Sequence, residues 1–364
     1  MKIIISGGGT GGHVFPAISI ADSLKARYPD VEILFVGAEN RIEMHCVPDA
    51  GYRIIGLPIV GFNRKNLFQN IPIFWKLFNS LSLAYRIINN FQPDIAIGMG
   101  GYASGPILQV AVRKGIPVLL QEQNSYAGIT NRLLAKKATR VCVAYNGMEK
   151  FFLKEKIALT GNPVRQDLVF TEEKKREGYI YFGLNPKKKT VLVIGGSLGA
   201  KTINESILSS IEIIEKSDFQ LIWQAGLPLF SLIHTLPSNI YFTEFISRMD
   251  LAYSVADLVV SRAGAGSISE LCLLGRPAIL VPSPNVAENH QERNAEILAK
   301  EGAAVMIVDR EAIKKLIPKV LELIRNENSL RLLSENILKM VLPNSANKIV
   351  DEIVKILKRE NKLD

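Results

Sequence analysis

Short runs of β-branched and other apolar residues alternate along this chain with longer stretches whose apolar positions recur at helical spacing. That alternation predicts an α/β protein with parallel sheets built from βαβ units. In the first half, Lys2–Ser6, Glu32–Gly37, Ile95–Met99, Val118–Gln121 and Arg140–Ala144 read as strands. Helices are predicted over Pro16–Tyr28, Ala103–Lys114 and Gly128–Lys136. A second series restarts at Thr190–Ile194 and continues through Gln220–Gln224, Leu258–Ser261, Ala278–Val281 and Ala304–Ile307. Gly161-Asn162-Pro163 closes the first series, and the lysine run Lys187–Lys189 precedes the second. Pro343-Asn344 interrupts the last helical stretch, after which Ala346–Lys362 reads as one amphipathic helix. These seams predict one domain over 1–163, a second over 164–343, and a closing helix, 344–364, that crosses back onto the first.

The two series open alike. Ile3–Gly12 (IIISGGGTGG) and Val191–Ala200 (VLVIGGSLGA) each read as a buried strand, a glycine loop and a helix start. Two Rossmann-like lobes facing across a ligand cleft follow from such a repeat. Gly7, Gly9 and Gly12 match GxGxxG, where glycines permit tight turning and helix N–H groups face an anion. A dinucleotide site wants an acid about 20 residues on. Glu39 lies 27 residues past Gly12, which strains that reading. His13 follows the loop and suits a general base for a hydroxyl; the same position equally suits a histidine that caps local backbone.

Further loops stand at predicted strand ends, where an α/β sheet faces its ligand. Gly98–Pro106, with Tyr102 and Ser104, and Gln121–Asn124, with Glu122, supply groups suited to a polyhydroxylated, phosphorylated acceptor. Ser197 suits a phosphate, as do the glycines and serines of Arg262–Glu270. Glu270 suits ribose hydroxyls, although by position alone it is an ordinary exposed helical glutamate. Gln291, at the start of another helix, suits sugar hydroxyls.

Composition narrows the class. With 364 residues, 48 % hydrophobic and 22 % charged, the chain is long enough for two folded domains. Three dispersed cysteines (Cys46, Cys142, Cys272) and four scattered histidines argue against a disulfide framework or a zinc cluster and fit a reducing compartment. The Met1–Ser6 run is too short for a signal peptide, and no apolar stretch has the length of a bilayer span. The net charge of +9 is unevenly placed: residues 1–160 hold 18 Lys and Arg against 10 Asp and Glu, whereas 161–343 hold 21 of each. Between Asp49 and Asp94 there is no acid, while Arg53, Arg64, Lys65, Lys76 and Arg86 occur. Such a one-sided field favours an anionic surface.

Taken as a set, GGGTGGHVFP (Gly7–Pro16), MGGYASGP (Met99–Pro106), EQN (Glu122–Asn124), GNPVR (Gly161–Arg165), GGSLGA (Gly195–Ala200), RAGAGSISE (Arg262–Glu270) and His290-Gln291 occur in order across nearly the whole chain. In this the chain resembles the MurG family, the lipid I N-acetylglucosaminyltransferases of bacterial peptidoglycan synthesis, in glycosyltransferase family 28 with the GT-B fold. The resemblance implies inverting transfer of GlcNAc from UDP-GlcNAc to the C4 hydroxyl of MurNAc in lipid I, giving lipid II. It implies an acceptor- and membrane-facing first lobe and a donor-binding second lobe. Carried over by motif, Thr10, Gly11, Gly12, Asn124, Arg165, Ser197, Ile246, Ala265, Gly266, Ser267, Ile268, Ser269, Glu270 and Gln291 form the donor site. Backbone groups at Ile246 are expected to read the uracil, and His13 is the candidate base. His290 departs from members that carry glutamine there.

No Asp-x-Asp pair occurs, so no cofactor or catalytic metal is expected, and leaving-group charge falls to helix N-termini, backbone N–H groups and Arg165. The stretch Phe68–Ile88 holds Phe68, Ile71, Phe74, Trp75 and Phe78 beside Lys65 and Lys76. In a generic chain such aromatics are core. Here the acid-free window and the lipid-linked acceptor favour docking on an anionic membrane, at its cytoplasmic face. The expected partners are UDP-GlcNAc, lipid I, that membrane surface and other cell-wall synthesis proteins, with no nucleic acid. The alternatives are an isomerase of the UDP-GlcNAc 2-epimerase kind on the same scaffold, an NAD-dependent oxidoreductase, and a non-catalytic sugar-nucleotide binder.

Overall fold

The computed structural model describes residues 1–61, 71–165, 168–196, 199–286 and 289–362, the side chains of 71–74 excepted. It divides into two compact units, Met1–Arg165 with Leu342–Asp364, and Gln166–Val341.

The first unit is a seven-stranded sheet of β1 (Lys2–Ser6), β2 (Glu32–Ala38), β3 (Arg53–Leu57), β4 (Ile95–Gly98), β5 (Val118–Glu122), β6 (Arg140–Val143) and β7 (Ile157–Leu159), in the order β3-β2-β1-β4-β5-β6-β7. Every pairing is parallel. Ile3, Ile4 and Ile5 of β1 are wholly buried, as a central strand covered by helices on both faces requires. The sequence reading places β1 correctly and misses β3 and β7, the two edge strands. β3 opens on the exposed Arg53 and β7 is only three residues long, so the first lacks the unbroken apolar run of an inner strand and the second its length.

The final helix, Ser345–Arg359, lies in this unit and packs against the Gly11–Arg27 helix. Ile349, Val350, Ile353 and Leu357 share a core with Ile20, Ala21 and Leu24. Each such aliphatic contributes about 1.5–3 kcal/mol on burial. Arg27 pairs with Asp351, and Arg140 Nε donates to Glu352 at 2.6 Å, which sets the helix's register.

The second unit repeats the plan with β8 (Lys189–Ile194), β9 (Phe219–Gln224), β10 (Ile240–Thr243), β11 (Leu258–Ser261), β12 (Ala278–Leu280) and β13 (Val305–Met306). Its order is β10-β9-β8-β11-β12-β13, again parallel throughout. In both sheets the strand order reverses once, between β1 and β4 and between β8 and β11. These are the positions where loops diverge and leave room for a ligand at the carboxyl edge.

Candidate functional site

At the first reversal, β1 and β4 end side by side, with Ser6 paired to Gly98. The loops that follow therefore meet. His13 lies in the first turn of the Gly11–Arg27 helix, and its Nδ1 is 3.1 Å from the Gly8 carbonyl and 3.3 Å from Thr10 Oγ1. A carbonyl only accepts, so the first contact places the ring proton on Nδ1 and makes Nε2 the basic nitrogen. Gly101 closes this corner: its φ is +76° and a Cβ there would lie 2.8 Å from the Gly8 oxygen. Tyr102 lies along Gly9 and Gly61, each of which leaves room for its ring.

Sequence reasoning missed the residue that holds this loop. Glu43, 1 % exposed, accepts the Gly9 N–H with both carboxylate oxygens (3.1 and 3.0 Å) and the Ala38 N–H at 3.0 Å. A loop N–H that a phosphate would use is thereby engaged by a carboxylate. The Gly9 N–H is therefore not open to an anion, whereas the helix N-terminus at Gly11 and Gly12 follows it.

Glu122 and Ser104 are both placed inside the lobe. Glu122 is 2 % exposed and accepts from the Asn124 main-chain N–H (3.1 Å), the Asn124 side chain (3.3 Å), the Gly128 N–H (3.0 Å) and Asn131 (2.9 Å). Burial pushes its carboxyl above the usual range, and the bonds from Asn131, Gly128 and Asn124 oppose that. Ser104 is wholly buried and donates to Gly101 O at 3.0 Å. Neither faces solvent, and each fixes a loop. Gln121, Gln123 and Asn162 form a buried amide network that joins the ends of β4 and β5 to the Gly161–Arg165 segment. Ser19 Oγ donates to Val164 O at 3.0 Å, so Arg165 stands at the end of a tethered strand of chain.

At the second reversal the Gly195–Ala200 loop leaves β8; Ser197 lies outside the described residues. Gln224, at the end of β9, donates to Gly196 O (2.8 Å) and accepts from the Ile246 N–H (3.0 Å). Ile246 is 2 % exposed and its N–H is thus committed, leaving its carbonyl as the group suited to a base. The Ala265–Leu274 helix starts behind Gly264, which caps with no side chain, so the N–H groups of Ala265, Gly266 and Ser267 head an anion-attracting terminus. The Ile268 side chain is core, and Ser269 Oγ bonds back to Ala265 O. Tyr253 O–H donates to Glu270 Oε2 at 2.9 Å, which turns the carboxylate into a fixed acceptor. Gln291 Oε1 accepts the Ser283 N–H at 2.9 Å, which fixes the amide so that its other end is the donor. Arg262 pairs with Asp309 and donates to Val281 O and Pro282 O, tying the ends of β11 and β12 together.

In the Ile71–Phe91 helix, Trp75 is 72 % and Phe78 66 % exposed, and Lys76 is also exposed. A groove of about 640 Å³ beside it is lined by Phe78, Leu81, Tyr85, Val110, Arg113 and Lys114. Lys65 and Phe68 lie outside the described residues, as do the side chains of Ile71 and Phe74. Among the described residues, no helix is long and apolar enough to cross a membrane, and no group of three His, Cys, Asp or Glu is placed to hold a metal ion.

The chain is 57 % identical, over 99 % of both sequences, to a Parabacteroides distasonis protein named UDP-N-acetylglucosamine–N-acetylmuramyl-(pentapeptide) pyrophosphoryl-undecaprenol N-acetylglucosamine transferase. It is 53 % identical to the Bacteroides thetaiotaomicron protein of the same name, again over 99 % of each. Among solved structures, Acinetobacter baumannii MurG superposes with a TM-score of 0.73 at 29 % identity, covering 97 % of this chain and 99 % of that one. A UDP-GlcNAc 2-epimerase from Neisseria meningitidis superposes with a TM-score of 0.70 at 15 % identity, covering 98 % and 100 %, which shows a shared fold. Residues 3–143 match the glycosyltransferase family 28 N-terminal domain and 190–352 its C-terminal domain: the chain belongs to glycosyltransferase family 28.

Proposed function

We propose that the protein is an inverting transferase that moves GlcNAc from UDP-GlcNAc to the C4 hydroxyl of MurNAc in undecaprenyl-pyrophosphoryl-MurNAc-pentapeptide, lipid I, giving lipid II. The observation that carries the reading is the His13 imidazole at the β1/β4 reversal, whose Nδ1 stands 3.1 Å from the Gly8 carbonyl, a contact that favours the proton on Nδ1 and a basic Nε2. Full-length identity to transferases of that name supports it.

In this reading Nε2 takes the proton of the C4 hydroxyl as its oxygen bonds to the anomeric carbon. The bond from that carbon to the UDP oxygen breaks on the opposite face, and the electron pair leaves with the diphosphate. The N–H groups at Ala265–Ser267, with Ser197 and Arg165, meet the charge that develops there. Glu270 takes ribose hydroxyls, Gln291 a sugar hydroxyl, and the Ile246 carbonyl the uracil imide N–H. Thr10, Gly11, Gly12 and Asn124 complete the donor contacts, and Tyr102 lines the acceptor side, with Ser104 and Glu122 as positioning groups. The absence of an Asp-x-Asp pair supports a route without a bound metal.

The acceptor is lipid-linked, and we place the protein peripherally on the cytoplasmic face of an anionic membrane. The exposed Trp75 and Phe78 beside Lys76 support that surface. His13→Ala is expected to lower kcat by about 10²–10⁴-fold with little change in UDP-GlcNAc affinity. Equal kcat in variant and wild type removes His13 from the mechanism. UDP release that depends on added lipid I separates the transferase from an epimerase, which consumes UDP-GlcNAc without an acceptor.

A further inference from the structure

The Gly8–Gly9 peptide is gripped at both ends. Its N–H, on Gly9, points to the Glu43 carboxylate (3.1 and 3.0 Å), and its C=O, on Gly8, points to His13 Nδ1 (3.1 Å). A planar trans peptide directs its N–H and C=O to opposite sides, so fixing one end fixes the other. We propose that Glu43 is a positioning residue for His13, acting through this single peptide group. The chain of contacts runs from carboxylate to Gly9 N–H, across the amide, and from Gly8 C=O to the imidazole N–H.

Space has been made for the carboxylate. A Cβ on Gly8 would stand 1.9 Å from Glu43 Oε1, and one on Gly37 would stand 2.6 Å from its Cγ. Gly9, at φ +84°, and Gly8 both lack side chains, so the peptide between them turns over easily unless something holds it. Turned over, it would present N–H to Nδ1 and force the ring proton to Nε2, the nitrogen that must accept the hydroxyl proton. An anionic acceptor also polarises the amide and strengthens the acceptor it offers His13. Glu43 thus does for His13, one peptide removed, what a carboxylate in direct contact does in a catalytic dyad.

The inference rests on the reading of His13 as the base, and the test separates the two. kcat and KM for UDP-GlcNAc are measured for wild type, Glu43→Gln, Glu43→Asp, His13→Ala and the Glu43→Gln/His13→Ala double variant. Glu43→Gln is expected to lower kcat about 10- to 100-fold with KM changed less than about twofold, and to add nothing to His13→Ala. Wild-type kcat in Glu43→Gln, or losses that multiply in the double variant, overturn the relay. The ¹⁵N spectrum of the imidazole in the resting protein reads the tautomer without catalysis. An Nδ1 proton in wild type that becomes mixed in the Glu43 variants supports the relay. An Nε2 proton in wild type, or an unchanged tautomer in the variants, overturns it even where His13→Ala behaves as a lost base. If Glu43→Gln does not fold, Glu43→Asp, which keeps the charge but withdraws it by one methylene, carries the same expectations.

Discussion

Gln224 braces two loops of the second lobe at once, so Gln224→Leu perturbs the proposed donor site without opening a hole. Leucine fills nearly the same volume in a site that is 4 % exposed, and what is lost is the donor to Gly196 O (2.8 Å) and the acceptor of the Ile246 N–H (3.0 Å). A buried polar group left without its partner costs about 1–3 kcal/mol. Ile246 is buried, so its N–H sits high in that range, whereas Gly196 is exposed and its carbonyl can turn to water. The sum is about 2–4 kcal/mol, which for a lobe of this size lowers Tm by on the order of 10 °C. Affinity for UDP falls as well. The glycine loop and the Ile246 carbonyl both lose their set position, and about 1 kcal/mol at each multiplies to a weakening of roughly 10- to 50-fold. Calorimetric titration with UDP and thermal unfolding measure the two effects. Gln224→Glu keeps the acceptor for Ile246 but faces Gly196 O with a negative oxygen, so it should lose UDP affinity more than Tm. A leucine variant with UDP affinity within about twofold of wild type and an unshifted Tm refutes the reasoning, because neither bond would then be holding its loop.

Three further outcomes follow from the same geometry. Gly101→Ala puts a Cβ 2.8 Å from Gly8 O at a φ of +76°, so beyond the roughly 1–2 kcal/mol of a left-handed alanine it displaces the His13 acceptor; kcat should fall at least about tenfold, and unchanged kcat in steady-state assays shows that contact to be dispensable. Arg248 grips Asp250 with two bonds of 3.0 Å and holds its carboxyl below the usual range, chiefly through those hydrogen bonds. A depressed carboxylate stabilises above its unfolded pKa and loses that contribution as pH falls through the folded value. The Tm gap between wild type and Asp250→Asn should therefore be full at neutral pH and close below about pH 4; a gap independent of pH in thermal scans contradicts the ion pair. Trp75→Ser with Phe78→Ser should weaken flotation with anionic vesicles at least about tenfold, since each aromatic offers about 1.5–3 kcal/mol on burial, and undiminished flotation removes that helix from the docking surface.

The parts legible in the sequence were those written locally. β1 and β11 were read to their ends, because an unbroken apolar run bounded by glycine or an arginine loop needs no distant partner. β3, β7 and β10 were missed because short strands at sheet edges look like loops until their one neighbour supplies the hydrogen bonds. The same rule divides the site. The candidates His13, Glu270 and Gln291 stand beside glycine loops or helix starts, which is what singles them out in the sequence. Glu43 meets Gly9 34 positions away, and Gln224 meets Gly196 across 28, so their roles exist only after the sheets have formed. Ile246 shows a further limit: what it offers is main chain, and its N–H is committed by a side chain from another strand.

The two glycine loops, alike in sequence and in sheet position, differ in the charge of what braces them, and that difference sets a different local field at each. In the first lobe the brace is a carboxylate, Glu43, on the Gly9 N–H. At about 6 Å and an effective dielectric of about 20, such a charge opposes each phosphate charge by roughly 3 kcal/mol, on the order of a hundredfold in binding. A diphosphate is therefore disfavoured beside Gly9, while an imidazole N–H directed at Gly8 O is favoured. In the second lobe the brace on the glycine loop is a neutral amide, Gln224 on Gly196 O. The charged group there, Arg262, lies at the ends of β11 and β12 with Asp309. A neutral brace leaves the helix terminus at Ala265–Ser267 as the dominant local field, which is positive. One supersecondary unit used twice thus yields one loop suited, in the proposed reading, to managing a proton and one lobe whose field suits a phosphate. The glycines alone do not distinguish them; the side chains behind the glycines do.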